Sequence, residues 1–147
     1  MTTVAARGTG RKDYSQNIEF IVEPLIRSYQ QQYTYYNEYD DVAPGSSATI
    51  DIPITTGTVV FVYDFRLATF AKILIGLTIQ AVGTDGVVAH VAYARGYTNL
   101  YHNIPAGFPF FNIIRATYYN LSDKTADFIL SMSGMYTSEK EYHLTLE

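Results

Sequence analysis

The stretch "AKILIGLTIQAVGTDGVVAHVAYARGY", residues 71 to 97, contains two alternating apolar segments around a tight turn. Side chains of a strand alternate between its two faces, so residues at every second position share a face. The apolar positions of the first segment follow this period: Ile73, Ile75, Leu77 and Ile79. The sequence "GTDG" at 83 to 86 is typical of a hairpin turn. The stretch therefore predicts a β-hairpin with one buried face.

Other segments repeat this pattern at regular spacing. "SATIDIPI" at 47 to 54 alternates in the same way, and "TVVFVYDF" at 58 to 65 is a β-branched and aromatic run typical of a buried strand. Further strands are expected over about 110 to 119 and 125 to 137, with turns rich in Gly, Pro, Asn and Asp between them. The sequence predicts an all-β fold, an antiparallel β-sandwich of jelly-roll type, over residues 44 to 147.

The alternation also predicts which side chains form the core of this sandwich. The expected core residues are Ile50, Ile52, Val60, Val62, Ile73, Ile75, Leu77, Ile79, Val91, Ile114, Phe128 and Leu130.

Residues 1 to 43 form a second region, interpreted as an extended N-terminal arm followed by a tyrosine-rich segment. Residues 1 to 16 combine glycines, small polar residues and three basic side chains, Arg7, Arg11 and Lys12. This composition buries too little apolar surface to order itself, so we expect a flexible arm. Residues 17 to 23 alternate as a half-buried strand does; the alternative, a helix, is interrupted by Pro24.

The segment "YQQQYTYYNEYDDVAPGSS", residues 29 to 47, places five tyrosines in its first eleven positions. In an extended chain these rings would lie on both faces of the segment. Such an arrangement suits a segment that is covered by protein on both sides. The alternative is an edge strand whose phenols reach water. We predict that the arm and this segment bind a partner through Arg7, Arg11, Lys12, Tyr29, Tyr33, Tyr35, Tyr36 and Tyr39.

Charge and composition exclude several classes of function. Charged residues make up 16% of the chain, against roughly 25% in an average soluble domain. The net charge of −4 argues against a general affinity for nucleic acid. The chain contains no cysteine, which excludes disulfides and zinc-thiolate sites. No run of about 18 apolar residues occurs, so we expect no membrane insertion.

We find no catalytic or metal-binding pattern in the sequence. The three histidines, at 90, 102 and 143, lack the short paired spacing of a metal site. Arg95 and Arg115 interrupt apolar strands, where they could bind an anion together or pair with Asp64 or Asp127. The sequence therefore predicts neither an enzyme nor a cofactor.

The arm "MTTVAARGTGRKDYSQ" and the body from "SATIDIPI" to "SMSGMYT" together resemble small virion structural proteins, especially the cement or decoration (auxiliary) proteins of tailed-bacteriophage capsids. The resemblance implies a homotrimer seated on the major capsid protein at the capsid surface of the virion, after synthesis in the host cytoplasm. Two alternatives remain. One is a carbohydrate- or receptor-binding β-sandwich of a phage tail or fibre, using "RGYTNLYHN" at 95 to 103; the other is a cupin-type enzyme with clustered His and Glu ligands.

Overall fold

The computed structural model describes residues 31 to 140. These residues form eight strands that follow one another through short connections. Their bounds are β1 Gln31–Val42, β2 Ser47–Pro53, β3 Thr58–Ala68, β4 Leu74–Gly83, β5 Gly86–Tyr97, β6 Asn99–Phe110, β7 Ile113–Asn120 and β8 Ala126–Ser138.

The strands form two four-stranded sheets, and all the recorded pairs are antiparallel. Sheet one has the order β1-β8-β3-β6, and sheet two has the order β2-β7-β4-β5. Successive strands alternate between the sheets, except at the β4–β5 hairpin. This connectivity is that of an eight-stranded jelly roll. The predicted fold class, an antiparallel β-sandwich, is confirmed.

The core lies between the sheets, where the sequence pattern predicted it. Ten of the twelve predicted core residues are buried, and Ile50 and Val91 are half-buried against the same cluster. The largest fully buried side chains include Phe65, Phe110 and Phe128. Phe65 and Phe110 meet edge to face with their ring centroids 6.2 Å apart, a favourable geometry for aromatic pairs.

The sandwich begins before residue 44. The sequence predicts its start at that position, with residues 1 to 43 as a separate region and residues 44 to 147 as the sandwich. Residues 31 to 42 form β1, which pairs with β8 from Gln31 opposite Tyr136 to Val42 opposite Ala126. The tyrosine-rich segment joins the sandwich because alternate rings pack against the core. The predicted arm and the predicted strand at 17 to 23 lie outside the described residues.

One end of the sandwich carries four connections, which are hydrogen-bonded in two pairs. The backbone N–H of Thr69 donates to the carbonyl of Thr98 (2.8 Å), and that of Asn120 donates to the carbonyl of Ser46 (2.9 Å). The buried Asn120 amide also donates to the carbonyls of Val42 (3.0 Å) and Lys124 (2.7 Å). These bonds join the connection after β3 to that after β5, and the connection after β1 to that after β7. We call the end that carries these four connections the loop end.

Candidate interaction surface

The tyrosines of β1 lie on both faces of sheet one, as an extended segment requires. Tyr33, Tyr35 and Tyr39 are half-buried and pack against the core, whereas Tyr36 faces solvent with 62% of its surface exposed. The other predicted partner-binding residues, Arg7, Arg11, Lys12 and Tyr29, lie outside the described residues.

The inward tyrosines are part of the domain's own packing. The hydroxyls of Tyr35 and Tyr39 are hydrogen-bonded at 2.9 Å, and the Tyr39 ring lies 5.0 Å from that of Tyr118. Burial, together with the bond to Tyr35, raises the pKa of Tyr39 to about 12. The hydroxyl of Tyr39 is therefore protonated and uncharged at neutral pH, which is compatible with its half-buried position.

A β-bulge in β3 determines which side chains reach the outer face of sheet one. Val60 and Val62 point into the core at even positions, but beyond the bulge the core residues are the odd-numbered Phe65 and Leu67. A one-residue change of phase exchanges the two faces of a strand. The bulge therefore turns Asp64 and Arg66 away from the core.

Four residues line up across the outer face of sheet one, one from each strand. Tyr36 pairs with Ser131, Ser131 with Arg66, and Arg66 with Tyr101. Tyr36 and Tyr101 stand on the two edge strands, and both are about 60% exposed. Between them lies a shallow groove of about 420 Å³, with Asp64, Arg66, Ser131 and Ser133 along its floor.

Asp64 organises the polar side chains of this groove. Its carboxylate accepts hydrogen bonds from the Tyr101 hydroxyl (2.6 Å), the Asn103 amide (2.7 Å) and the Ser133 hydroxyl (3.0 Å). The bonds from Tyr101 and Asn103 lower the pKa of Asp64, and the same contact raises the pKa of Tyr101. At neutral pH, Asp64 is therefore ionised and Tyr101 is protonated.

The outer face of sheet two is arranged differently. Arg115 donates two hydrogen bonds to the Asp51 carboxylate (2.7 and 2.9 Å), so its partner is neither Asp64 nor Asp127. In the adjacent positions, the hydroxyls of Thr49 and Thr117 bond at 3.0 Å. The cross-strand row that contains this ion pair continues from Arg115 to Gln80 and His90. In it, the Gln80 amide nitrogen lies 3.1 Å from Nδ1 of His90. The polar side chains of these two rows therefore bind one another.

Apolar side chains project at the loop end. Phe70, in the connection after β3, is 91% exposed, and Tyr97, at the end of β5, is 70% exposed. The hydrogen bond between Thr69 and Thr98 brings these two segments together. Leu74 links the other two residues, because it pairs with Tyr97 on β5 and its carbonyl accepts a hydrogen bond from the N–H of Leu121. We call Phe70, Tyr97 and Leu121 the loop-end patch.

The sequence interpretation did not identify Asp64, Arg66 or Phe70 as candidate site residues. For Asp64 and Arg66 a signal existed, because the change from even to odd apolar positions after Val62 is visible in the sequence. For Phe70 no such signal exists, because the residues around it, Thr69 and Ala71, show no alternation that would place its side chain at the surface. Among residues 31 to 140, no group of three or more His, Cys, Asp or Glu side chains could hold a metal ion. In the same range, no helix has the length and apolar character to cross a membrane.

Comparison with known proteins yields structural similarity alone. No family model and no curated protein matches the chain. Similar solved structures include a chain from the Gx strain of infectious bursal disease virus, with 15% identity and a TM-score of 0.40 over 77% of this chain and 33% of that one. A second comes from the disulfide-linked pili of Bacillus endospore appendages, with 12% identity and a TM-score of 0.46 over 87% and 100%. A third is PirA, with 10% identity and a TM-score of 0.42 over 71% and 93%. The chain thus spans a third of the viral chain, and these matches, from unlike sources, do not indicate one function.

Proposed function

We propose that this protein is a structural virion protein that binds and stabilises an assembled capsid shell. The observation that carries the proposal is the loop-end patch on a jelly-roll body. Viral capsid domains and lectins both use this architecture, so the fold is compatible with the role but does not specify it. Exposed apolar side chains such as Phe70 and Tyr97 are the kind that protein partners cover.

The proposed contact combines this patch with the N-terminal arm. Arg7, Arg11 and Lys12 would meet acidic groups or backbone carbonyls of a major capsid protein or another virion protein. An arm that orders on binding can span a large surface, although its ordering reduces the affinity gained per contact. Trimerisation of the body, a further part of the proposal, would multiply the attachment points on the shell.

The mechanism is stabilisation by linkage and needs no turnover. A protein that binds the assembled shell more tightly than separated subunits raises the free energy required to open the shell. Binding should therefore increase the temperature at which shells disassemble, in proportion to the logarithm of the free protein concentration above its dissociation constant.

Co-sedimentation with purified shells tests the proposal. We expect the wild-type chain to pellet with shells, and both deletion of residues 1 to 16 and the double change Phe70→Ser, Tyr97→Ser to weaken binding at least about tenfold. Tyr93→Ser is the matched control, because Tyr93 is 65% exposed on the outer face of sheet two, away from the loop end. Failure of the wild-type chain to pellet, or an equal loss for Tyr93→Ser, would contradict the proposal. Sedimentation equilibrium of the free protein tests the trimer.

A further inference from the structure

The groove on the outer face of sheet one has the size of a small-molecule site and a distinctive arrangement of side chains. Its volume of about 420 Å³ lies in the range of ligand pockets, roughly 300 to 1,000 Å³. The edge strands that carry Tyr36 and Tyr101 are three inter-strand spacings apart, about 14 Å. A ligand that touches both rings must therefore be elongated and lie across the strands.

Both tyrosine rings are held in place before any ligand arrives. The Tyr101 hydroxyl donates to Asp64 on the neighbouring strand (2.6 Å), and the Tyr36 hydroxyl donates to Glu38 on its own strand (2.9 Å). Each ring is nonetheless about 60% exposed. Because the bonds limit the movement of both side chains, a ligand that stacks on these rings loses little affinity to their ordering.

The floor between the rings offers hydrogen bonds that the described protein does not use. Arg66 donates from Nε to Asn99 (3.2 Å), but among residues 31 to 140 its terminal nitrogens have no hydrogen-bond acceptor. The Ser131 hydroxyl, next to Arg66 in the same cross-strand row, likewise has no side-chain partner in that range. The groove therefore presents unused donors between two aromatic platforms.

Exposed aromatic rings flanking polar donors are suited to sugars. The C–H groups on one side of a sugar ring carry partial positive charge and are attracted to the negative face of an aromatic ring, while its hydroxyls need hydrogen-bond partners. A nucleic-acid strand also stacks on aromatic rings, but it needs a basic channel. Here Arg66 lies beside Asp64, Glu38 lies next to Tyr36, and the whole chain has a net charge of −4.

We propose that this groove binds an oligosaccharide, with one sugar ring stacked on Tyr36, another on Tyr101, and intervening hydroxyl or carboxylate groups hydrogen-bonded to Arg66 and Ser131. The site is separate from the loop-end patch, so the inference does not depend on the proposed shell attachment.

A glycan array probed with the full-length protein, followed by calorimetric titration of the best neutral and the best acidic oligosaccharide, tests the site. We expect Tyr36→Ala, Tyr101→Ala and Arg66→Ala each to reduce affinity at least about tenfold. Tyr101→Phe, which keeps the ring but loses the bond to Asp64, should have a smaller effect. A larger loss from Arg66→Ala for acidic than for neutral glycans would identify the carboxylate as its ligand.

Tyr93→Ala, on the outer face of sheet two, is the matched control and should bind as the wild-type protein does. Circular dichroism should show that all variants remain folded. The proposal is overturned if no oligosaccharide on the array binds the wild-type protein, if Tyr93→Ala loses as much affinity as Tyr101→Ala, or if a single-stranded oligonucleotide binds the groove more tightly than any glycan.

Discussion

The two outer faces of the sandwich use similar residues in different ways. On sheet two, Arg115 and Asp51 pair directly across neighbouring strands. On sheet one, Asp64 is instead bound by neutral donors, and the terminal nitrogens of Arg66 have no acceptor within the described residues. The first arrangement satisfies its own charges, whereas the second leaves donors for another molecule. Cross-strand register therefore decides which of these charged side chains are paired within the protein and which keep unused donors.

The largest effect should follow from a change at the bulge that creates the groove. A Cβ at Gly134 would overlap the backbone carbonyl oxygen of Phe61, which no side-chain rotation can relieve. We expect Gly134→Ala to lower the free energy of unfolding by about 3 kcal/mol or more, measured by urea denaturation. Gly45→Ala is the control: its φ is +70° but nothing lies within 4 Å, so it should cost only about 1 kcal/mol. Equal costs would show that the bulge tolerates a side chain.

Removing the central carboxylate of each face compares the two arrangements directly. Asp64→Ala deprives Tyr101, Asn103 and Ser133 of their acceptor and should cost about 1 to 2 kcal/mol of stability. Asp51→Ala removes an exposed ion pair, which contributes less because water and salt screen it. Chemical denaturation of both variants at low and moderate salt measures the difference. A greater loss for Asp51→Ala would reverse this ranking of the two faces.

Acid should weaken both faces through the same two carboxylates. The pKa values of Asp64 and Asp51 are lowered in the folded protein, by hydrogen bonds from Tyr101 and Arg115 respectively. The unfolded chain then binds protons first, so this contribution to stability is complete above the unfolded pKa of about 3.9 and is lost as the pH falls through the lowered values. Unfolding measured from pH 6 to pH 2.5 should show a shallower decline for Asp64→Asn than for the wild-type protein. Parallel curves would exclude Asp64 as a source of acid sensitivity.

The smallest effect distinguishes the two faces of β1. Tyr35→Phe removes the hydrogen bond to the half-buried Tyr39 and should cost about 0.5 to 1 kcal/mol. Tyr36→Phe removes only a bond to the exposed Glu38, so the melting temperature should not change. Thermal unfolding of the two variants in parallel gives the comparison. A loss for Tyr36→Phe as large as that for Tyr35→Phe would place Tyr36 in the stabilising packing of the domain.

Sequence reasoning could predict the core because the period-two pattern is local. Ile73, Ile75, Leu77 and Ile79 are buried where the alternation placed them. The groove could not be predicted in the same way, because it depends on register between strands far apart in the chain. Tyr36 and Tyr101 join one row only through β8 and β3, and Asp64 faces outward only because of the bulge opposite Gly134. The local pattern also cannot show that the tyrosine-rich segment joins the sandwich, because its partner β8 begins more than 80 residues later.

Cross-linking mass spectrometry of purified virus particles would show whether, and through which end, this protein is attached to the capsid shell. Lysines mark both ends of the described body: Lys72 and Lys124 lie in loop-end connections, and Lys140 follows Glu139, whose N–H donates to the carbonyl of Gly57 at the opposite end. If the loop end attaches to the shell, the chain should be abundant in particles, with Lys72 and Lys124 cross-linked to a neighbouring virion protein and Lys140 largely free of such links. Absence of the chain from particles, or cross-links to that protein through Lys140 alone, would contradict it.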